Sequence, residues 1–413
     1  MDIITCSNGV RIVCERVPAV HSASLGIWVA NGSRCETAAE NGVSHFIEHM
    51  LFKGTPTRSA SDIAAEMDRL GGQFNAFTSK ENTTFYFRTL DEQLPAAIDV
   101  LSDMFLRSLF RERDLSLERT VVFEEIDMVE DTPDELVSDK LAAVTFDGSP
   151  LGFPIIGTRD TLTPMTGRML HDYMDAHYVP AGIVVSLAGS FDDAVLEQLR
   201  RTFEAIPARP LPAVVPAAYK SGESFTEKKI EQNHICLGFP GVSHRDPARY
   251  EAQLFTSILG GGMSSRLFQK VREDAGLCYS IYTFQSVHAD TGLFGVYTAL
   301  SPSNMARAEA LIREVIDGFL QDGPTQEELD RARGQIKSNL LMGLESTMSR
   351  MTRMGQALLF LDEVPPLEDT IARYEAVTRD AVTDFARRTC DYGQLARAVV
   401  GSVTTGDAAD GNT

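Results

Sequence analysis

The chain is 413 residues long with 43% hydrophobic and 23% charged residues, which fits two domains of about 200 residues, each able to bury its own core. Acidic residues outnumber basic ones 58 to 38, a net charge of −20. That balance argues against nucleic acid as a partner, which needs a basic footprint, and suits either a basic substrate or solubility alone. The six cysteines are scattered without a CxxC pair, and neither a secretory signal nor a run of about 18 apolar residues is visible. The expectation is a cytoplasmic protein with reduced thiols and no membrane partner.

In chain order, residues 3–30 read as strand-like runs with a turn at Ser7-Asn8-Gly9, where Asn-Gly tolerates the positive φ of a hairpin. A loop over 34–44 leads into an apolar helix containing His45-Phe46-Ile47-Glu48-His49. Ser44 is its predicted cap, and Lys53-Gly54-Thr55-Pro56 its stop. A second helix spans 59–72, and residues 73–90, rich in aromatics and threonine, alternate as a hairpin. Helices follow over 94–110 and 111–146, the latter interrupted near Pro133. After a helix end, a strand and a further helix, residues 207–222 are proline-rich without a period, which is linker composition.

The second half repeats this plan. It reads as a strand over 234–243, helices over 247–261 and 264–276, a hairpin over 279–300, and helices over 304–320 and 325–347. Laying residues 327–339 over 113–125 sets Ala332 opposite Glu118 and Asn339 opposite Glu125, and the helix over 247–261 has no H-x-x-E-H. The second half therefore reads as a copy of the first without its polar motif. The predicted boundaries are 1–206 for the first domain, 207–222 for the linker, 223–400 for the second domain and 401–413 for a disordered tail. Gly260-Gly261-Gly262 lacks the Lys-Ser/Thr of a phosphate-binding loop and predicts a helix-ending turn.

On a helix, His45, Glu48 and His49 share one face, because residues three and four apart project together. Two imidazoles and a carboxylate on an apolar helix are costly unless they are hydrogen-bonded core groups or ligands of an ion such as zinc. H-x-x-E-H is the inverzincin order. In the stretch over 111–146, Leu115, Glu118, Val121, Val122, Glu125 and Val129 share one side, and Thr120, Glu124, Asp127 and Asp131 the other. Carboxylates within an apolar stripe need a partner or a metal, so Glu125 is the candidate third ligand and Glu118 an outer partner, whereas Glu124 reads as surface. Three ligands leave a position for water, as in catalytic zinc sites, and Glu48 is free to act as general base.

With the motif, the downstream glutamate and the two-copy plan together, the chain resembles the pitrilysin/insulinase family of zinc metallopeptidases. The likeness is to its short bacterial members and to the catalytic subunit of mitochondrial processing peptidase, and it runs from about residue 3 to residue 400. NGSRCE before the motif and FKGT after it are also similar. The resemblance implies an α+β fold of two homologous α/β-roll domains, each a mostly antiparallel sheet flanked by helices, closing as a clamshell around a chamber. It implies one zinc ion per chain on His45, His49 and Glu125, with Glu48 catalytic and Glu118 supporting. Asn75-Ala76-Phe77-Thr78 resembles the edge strand that takes substrate as an added strand, and Arg272 and Tyr279 resemble the pair that reaches substrate from the second domain. Ala181 stands where the family usually has Asn. The implied function is a homodimeric endopeptidase acting on unfolded peptides or presequence-like segments. The competing reading is a fold-retaining subunit without chemistry; such subunits usually lack a motif residue or the downstream glutamate, and here all four are present.

Overall fold

The structure, a computed structural model, describes residues 1–402. The strands of the first half are β1 (Asp2–Thr5), β2 (Arg11–Arg16), β3 (Ser22–Val29), β4 (Gln73–Thr78), β5 (Thr83–Leu90) and β6 (Ile183–Gly189). Its helices are α1 (Val43–Leu51), α2 (Ala60–Arg69), α3 (Leu94–Arg107), α4 (Glu112–Glu130) and α5 (Pro133–Thr145), then α6 (Arg159–Leu162), α7 (Gly167–His177) and α8 (Asp193–Glu204). Residues 207–221 carry no helix or strand. The second half contributes β7 (Gly222–Glu227), β8 (Asn233–Pro240), β9 (Cys278–Val287), β10 (Gly292–Leu300) and β11 (Ala396–Gly401). Its helices are α9 (Arg249–Gly260), α10 (Met305–Asp322), α11 (Gln326–Gly343), α12 (Thr347–Leu361), α13 (Leu367–Ala376) and α14 (Arg379–Thr389).

The strands form two sheets, ordered β1-β2-β6-β3-β5-β4 and β7-β11-β8-β10-β9. β1 apart, the two orders are one plan. β2 runs parallel to β6 as β7 does to β11, and every other neighbouring pair is antiparallel. The mixed α/β fold with two helix-flanked sheets, and the duplication read from the second half, are both present.

The contiguous division at residues 206 and 223 is not how the contacts divide. One unit holds Met1–Ile126, Phe153–Val215 and Leu340–Pro365; the other holds Asp127–Gly152, Pro216–Asn339 and the described residues from Pro366 onward. Each half of the chain thus gives one helix to the other half's sheet. α12 lays Met351, Met354, Leu358 and Leu359 on the face of Val13, Trp28, Val184 and Ala188 in the first unit. In the second unit α5 lays Leu136, Val137 and Leu141 on Cys236, Leu293, Tyr297 and Ala398. The physical reason is that strands such as β3 are apolar on both faces. Leu25, Ile27 and Val29 enter the core under α1 and α3 while Trp28 points the other way, so a second helical layer is required.

Other differences are local. Helices α12 to α14 and strands β7 and β11 add to the predicted elements. The helix expected over 264–276 is a π-helix at Phe268–Asp274. Gly401 belongs to β11 and the Ser402 amide donates to Asn233 Oδ1, so the predicted tail does not begin at 401; its remainder lies outside the described residues.

Candidate metal centre

α1 is built as a buried helix with one open face. Phe46, Ile47, Met50 and Leu51 are fully buried, whereas His45, Glu48 and His49 are half-buried. The helix begins at Gly42, not with a serine cap. Gly42 has a φ of +94°, and a Cβ there would fall 2.8 Å from Gly157 Cα. The buried Glu36 carboxyl does the capping, accepting from the Gly42 amide at 2.8 Å and the Ser44 amide at 2.9 Å. The Ser44 hydroxyl is taken up by Asn31 at 3.2 Å and Tyr173 at 3.3 Å. Burial pushes the Glu36 carboxyl up to about 7, against the lowering effect of these amides. Neither spacing nor periodicity marks Glu36; only the likeness of NGSRCE pointed to that segment.

α4 brings Glu118 and Glu125 to the open face of α1. The Glu125 Oε2 atom lies 3.7 Å from His45 Nε2 and 3.5 Å from His49 Nε2. Ligand atoms of these three residues all fall within 4.8 Å of one another, and they are the one such group among the described residues. An edge of a zinc tetrahedron with bonds of about 2.0–2.2 Å is about 3.4 Å long, so the donor set fits that ion with little adjustment. Glu118 stands behind His49, its Oε1 accepting from Nδ1 at 2.9 Å, while Lys53 Nζ meets its Oε2 at 2.5 Å. Burial raises the Glu118 carboxyl, but the bonds from His49 and Lys53 outweigh it and hold it below its ordinary value. An ionised Glu118 makes Nδ1 of His49 the protonated nitrogen, which leaves the Nε2 lone pair facing Glu125.

The two histidines differ. His45 is pushed down to about 3 by burial and by the neighbouring His49, so it is neutral, and its buried Nδ1 has no hydrogen-bond partner. Burial also pushes His49 down, but Glu118 and Glu125 outweigh it and the imidazole sits above its ordinary value. Glu48 is raised by burial, and the Thr78 hydroxyl, donating to its Oε2 at 2.6 Å, works against that rise. Glu124 is exposed, as expected, but so is Val121 at 46%, because the apolar stripe of α4 is narrower than its helical wheel suggests.

The predicted edge strand is β4, which among the described residues pairs only with β5 and ends the first sheet. Its residues alternate: Asn75 and Phe77 are exposed, and Ala76 and Thr78 are half-buried. Thr78 thereby reaches Glu48, and Phe77 packs edge-on to Trp28 at 5.9 Å. Arg272 and Tyr279 belong to the second unit. There the Arg272 guanidinium stacks over the rings of Phe268 at 4.5 Å and Tyr279 at 4.9 Å, and Tyr279, on the end strand β9, is 77% exposed. Of the positions set against Glu118 and Glu125, Ala332 is buried and Asn339 exposed.

Comparison with known proteins places this arrangement. The model described as insulinase (peptidase family M16) matches residues 11–159, and the one described as the peptidase M16 inactive domain matches residues 164–336. A Bacillus subtilis protein named uncharacterized zinc protease YmxG is 42% identical over 391 residues, covering 94% of this chain and 96% of its own. A Streptomyces coelicolor protein named as an uncharacterized zinc protease is 42% identical over 393 residues, covering 93% and 86%. Two solved structures share the fold. A peptidase M16 inactive domain from Pseudomonas fluorescens has a TM-score of 0.91 at 20% identity over 98% of each chain. A protease from Helicobacter pylori has a TM-score of 0.90 at 19% identity over 97% of this chain and 99% of its own. The chain belongs to the insulinase family of peptidases, family M16.

Proposed function

We propose that this protein is a zinc-dependent endopeptidase that hydrolyses unfolded peptides or presequence-like segments. The observation that carries the reading is the convergence of His45, His49 and Glu125 with a separate carboxylate, Glu48, beside them. The three would hold one zinc ion per chain and leave room for water. Bound zinc supplies the Lewis acidity that polarises a peptide carbonyl and brings the pKa of water towards about 7. Glu48 takes the proton of the attacking water and returns it to the leaving amine, and burial raises its pKa above the ordinary carboxylate value. Thr78 holds one Glu48 oxygen, which aims the other.

Among the described residues no strand pairs with the outer edge of β4, to which a substrate can add as a strand along Asn75-Ala76-Phe77-Thr78. Main-chain pairing of this kind requires an extended peptide, which is why the substrate is unfolded. Family resemblance assigns Arg272 and Tyr279 to the substrate, Tyr279 to the oxyanion or the neighbouring backbone. The same proposal includes an enclosed chamber, a homodimer, a preference for basic peptides and a cytoplasmic setting without nucleic-acid or membrane partners. The net charge of −20 supports the basic preference and the six free cysteines the cytoplasmic setting, and among the described residues no helix is long and apolar enough to cross a membrane.

The test is hydrolysis of a quenched-fluorescent, unstructured basic peptide. Wild type cuts it; Glu48→Gln keeps its zinc and does not; Glu125→Gln loses both zinc and activity; Glu124→Gln keeps both. Zinc binding without cleavage by wild type would point instead to a fold-retaining partner subunit.

A further inference from the structure

His49 is the only one of the two histidines whose second nitrogen is held, since the buried Nδ1 of His45 has no partner. The brace is a chain of three contacts. Lys53 Nζ lies 2.5 Å from Glu118 Oε2, Glu118 Oε1 accepts from His49 Nδ1 at 2.9 Å, and His49 Nε2 faces Glu125 Oε2 at 3.5 Å. We propose that Lys53 is a positioning residue of this centre. Its ammonium clamps one Glu118 oxygen so that the other is presented to His49 and keeps the ring aimed at Glu125.

The turn that carries Lys53 is built to be stiff. The Lys53 amide closes α1 by donating to Met50 O at 3.1 Å, and the Leu109 amide donates to Gly54 O at 3.1 Å. Thr55 and Thr57 donate their hydroxyls to Asp103 Oδ2 at 2.7 and 2.9 Å, and Arg58 bonds the same oxygen at 2.8 Å. Lys53 therefore reaches Glu118 from an anchored backbone. The pair is also not a solvated surface contact, because the Glu118 side chain is 8% exposed and that of Lys53 32%. Without the lysine, Glu118 would keep a single bond, to His49, and an unpaired buried oxygen, so the carboxylate could turn and the imidazole with it.

The inference rests on His45, His49 and Glu125 being the zinc ligands, so wild type and Glu125→Gln are measured in parallel. The readouts are zinc affinity, by competition with a chromophoric chelator, and the ¹⁵N signals of His49 in the zinc-free protein. Lys53→Met should weaken zinc binding about 10- to 100-fold, the range seen when outer partners of metal ligands are removed, and should average the two His49 nitrogens. Lys53→Arg, which restores a cation, should recover most of both. Zinc affinity and His49 signals in Lys53→Met indistinguishable from wild type would overturn the proposal. If Lys53→Met does not fold, Lys53→Gln carries the same two outcomes, since it keeps a donor and loses the charge. Failure of wild type to bind zinc, or no effect of Glu125→Gln, would instead remove the ligand assignment.

Discussion

Glu118 and Glu125 stand seven residues apart on α4 and have different surroundings. The Glu118 side chain is 8% exposed and tied to His49 and Lys53, whereas Glu125 is 33% exposed and faces both imidazoles. One consequence concerns pH. His49 is raised above its ordinary 6.5, and a metal needs the neutral ring, so proton and zinc compete there. Zinc affinity should fall about tenfold per unit as pH drops below the raised His49 value, and level off above it. His45, down at about 3, contributes nothing to that slope. Glu118→Gln removes the strongest group raising His49, so the slope should begin at lower pH; calorimetric zinc titrations across pH check this. A second prediction follows from the Thr78 hydroxyl on Glu48. Thr78→Val should lower kcat about 10- to 100-fold while zinc content, read by atomic absorption, stays at the wild-type level.

At the scale of elements, the exchange of α5 and α12 decides what can fold alone. A fragment of residues 1–206 keeps every residue of the metal centre but lacks α12, which covers Val13, Trp28, Val184 and Ala188. Burying one Met or Leu side chain is worth about 1.5–3 kcal/mol, so losing Met351, Met354 and Leu358 together approaches the whole stability of a domain. That fragment should aggregate or bind a hydrophobic dye, and adding residues 340–365 should lower the dye signal by covering the sheet without abolishing it, since the Leu136, Val137 and Leu141 face of α5 still lacks its partner; light scattering and dye fluorescence read the difference. The packing is close as well as apolar. A Cβ at Gly355 would fall 2.2 Å from Trp28 Nε1, so Gly355→Ala should cost about 1–3 kcal/mol in urea unfolding, by forcing α12 off the sheet.

Across the whole molecule, the relevant property is the net charge of −20, which acts at a distance and is screened by salt. If cationic peptides are drawn in by that field, kcat/KM for a highly basic peptide should fall about tenfold between low and physiological ionic strength, while a neutral peptide of equal length changes little. Equal salt responses for the two peptides would sink the preference for basic substrates. The repeated sheet plan belongs to this scale too. Both units order their strands alike, yet among the described residues only the first carries the ligand cluster, because α9 lacks the histidines and α11 has Ala332 and Asn339 at the matched positions.

The amino-acid order by itself determined what depends on spacing along one element. His45, Glu48 and His49 share a face because a helix turns every 3.6 residues, and the same period separated Glu125 from Glu124 on α4. Alternation likewise marked β4 and β5 as a hairpin, since strand side chains repeat every second residue. The period also overreached, placing Val121 in the apolar stripe, because a wheel does not know how wide the neighbouring surface is. Only the tertiary structure decided what depends on residues far apart in the chain. Glu36 caps α1, Lys53 and His49 meet on Glu118, Thr78 reaches Glu48, and α12 crosses to the first sheet. These contacts join separate elements, and no local period encodes which of many polar groups or apolar faces will be the partner; that choice is made when the layers pack and buried groups must find one another.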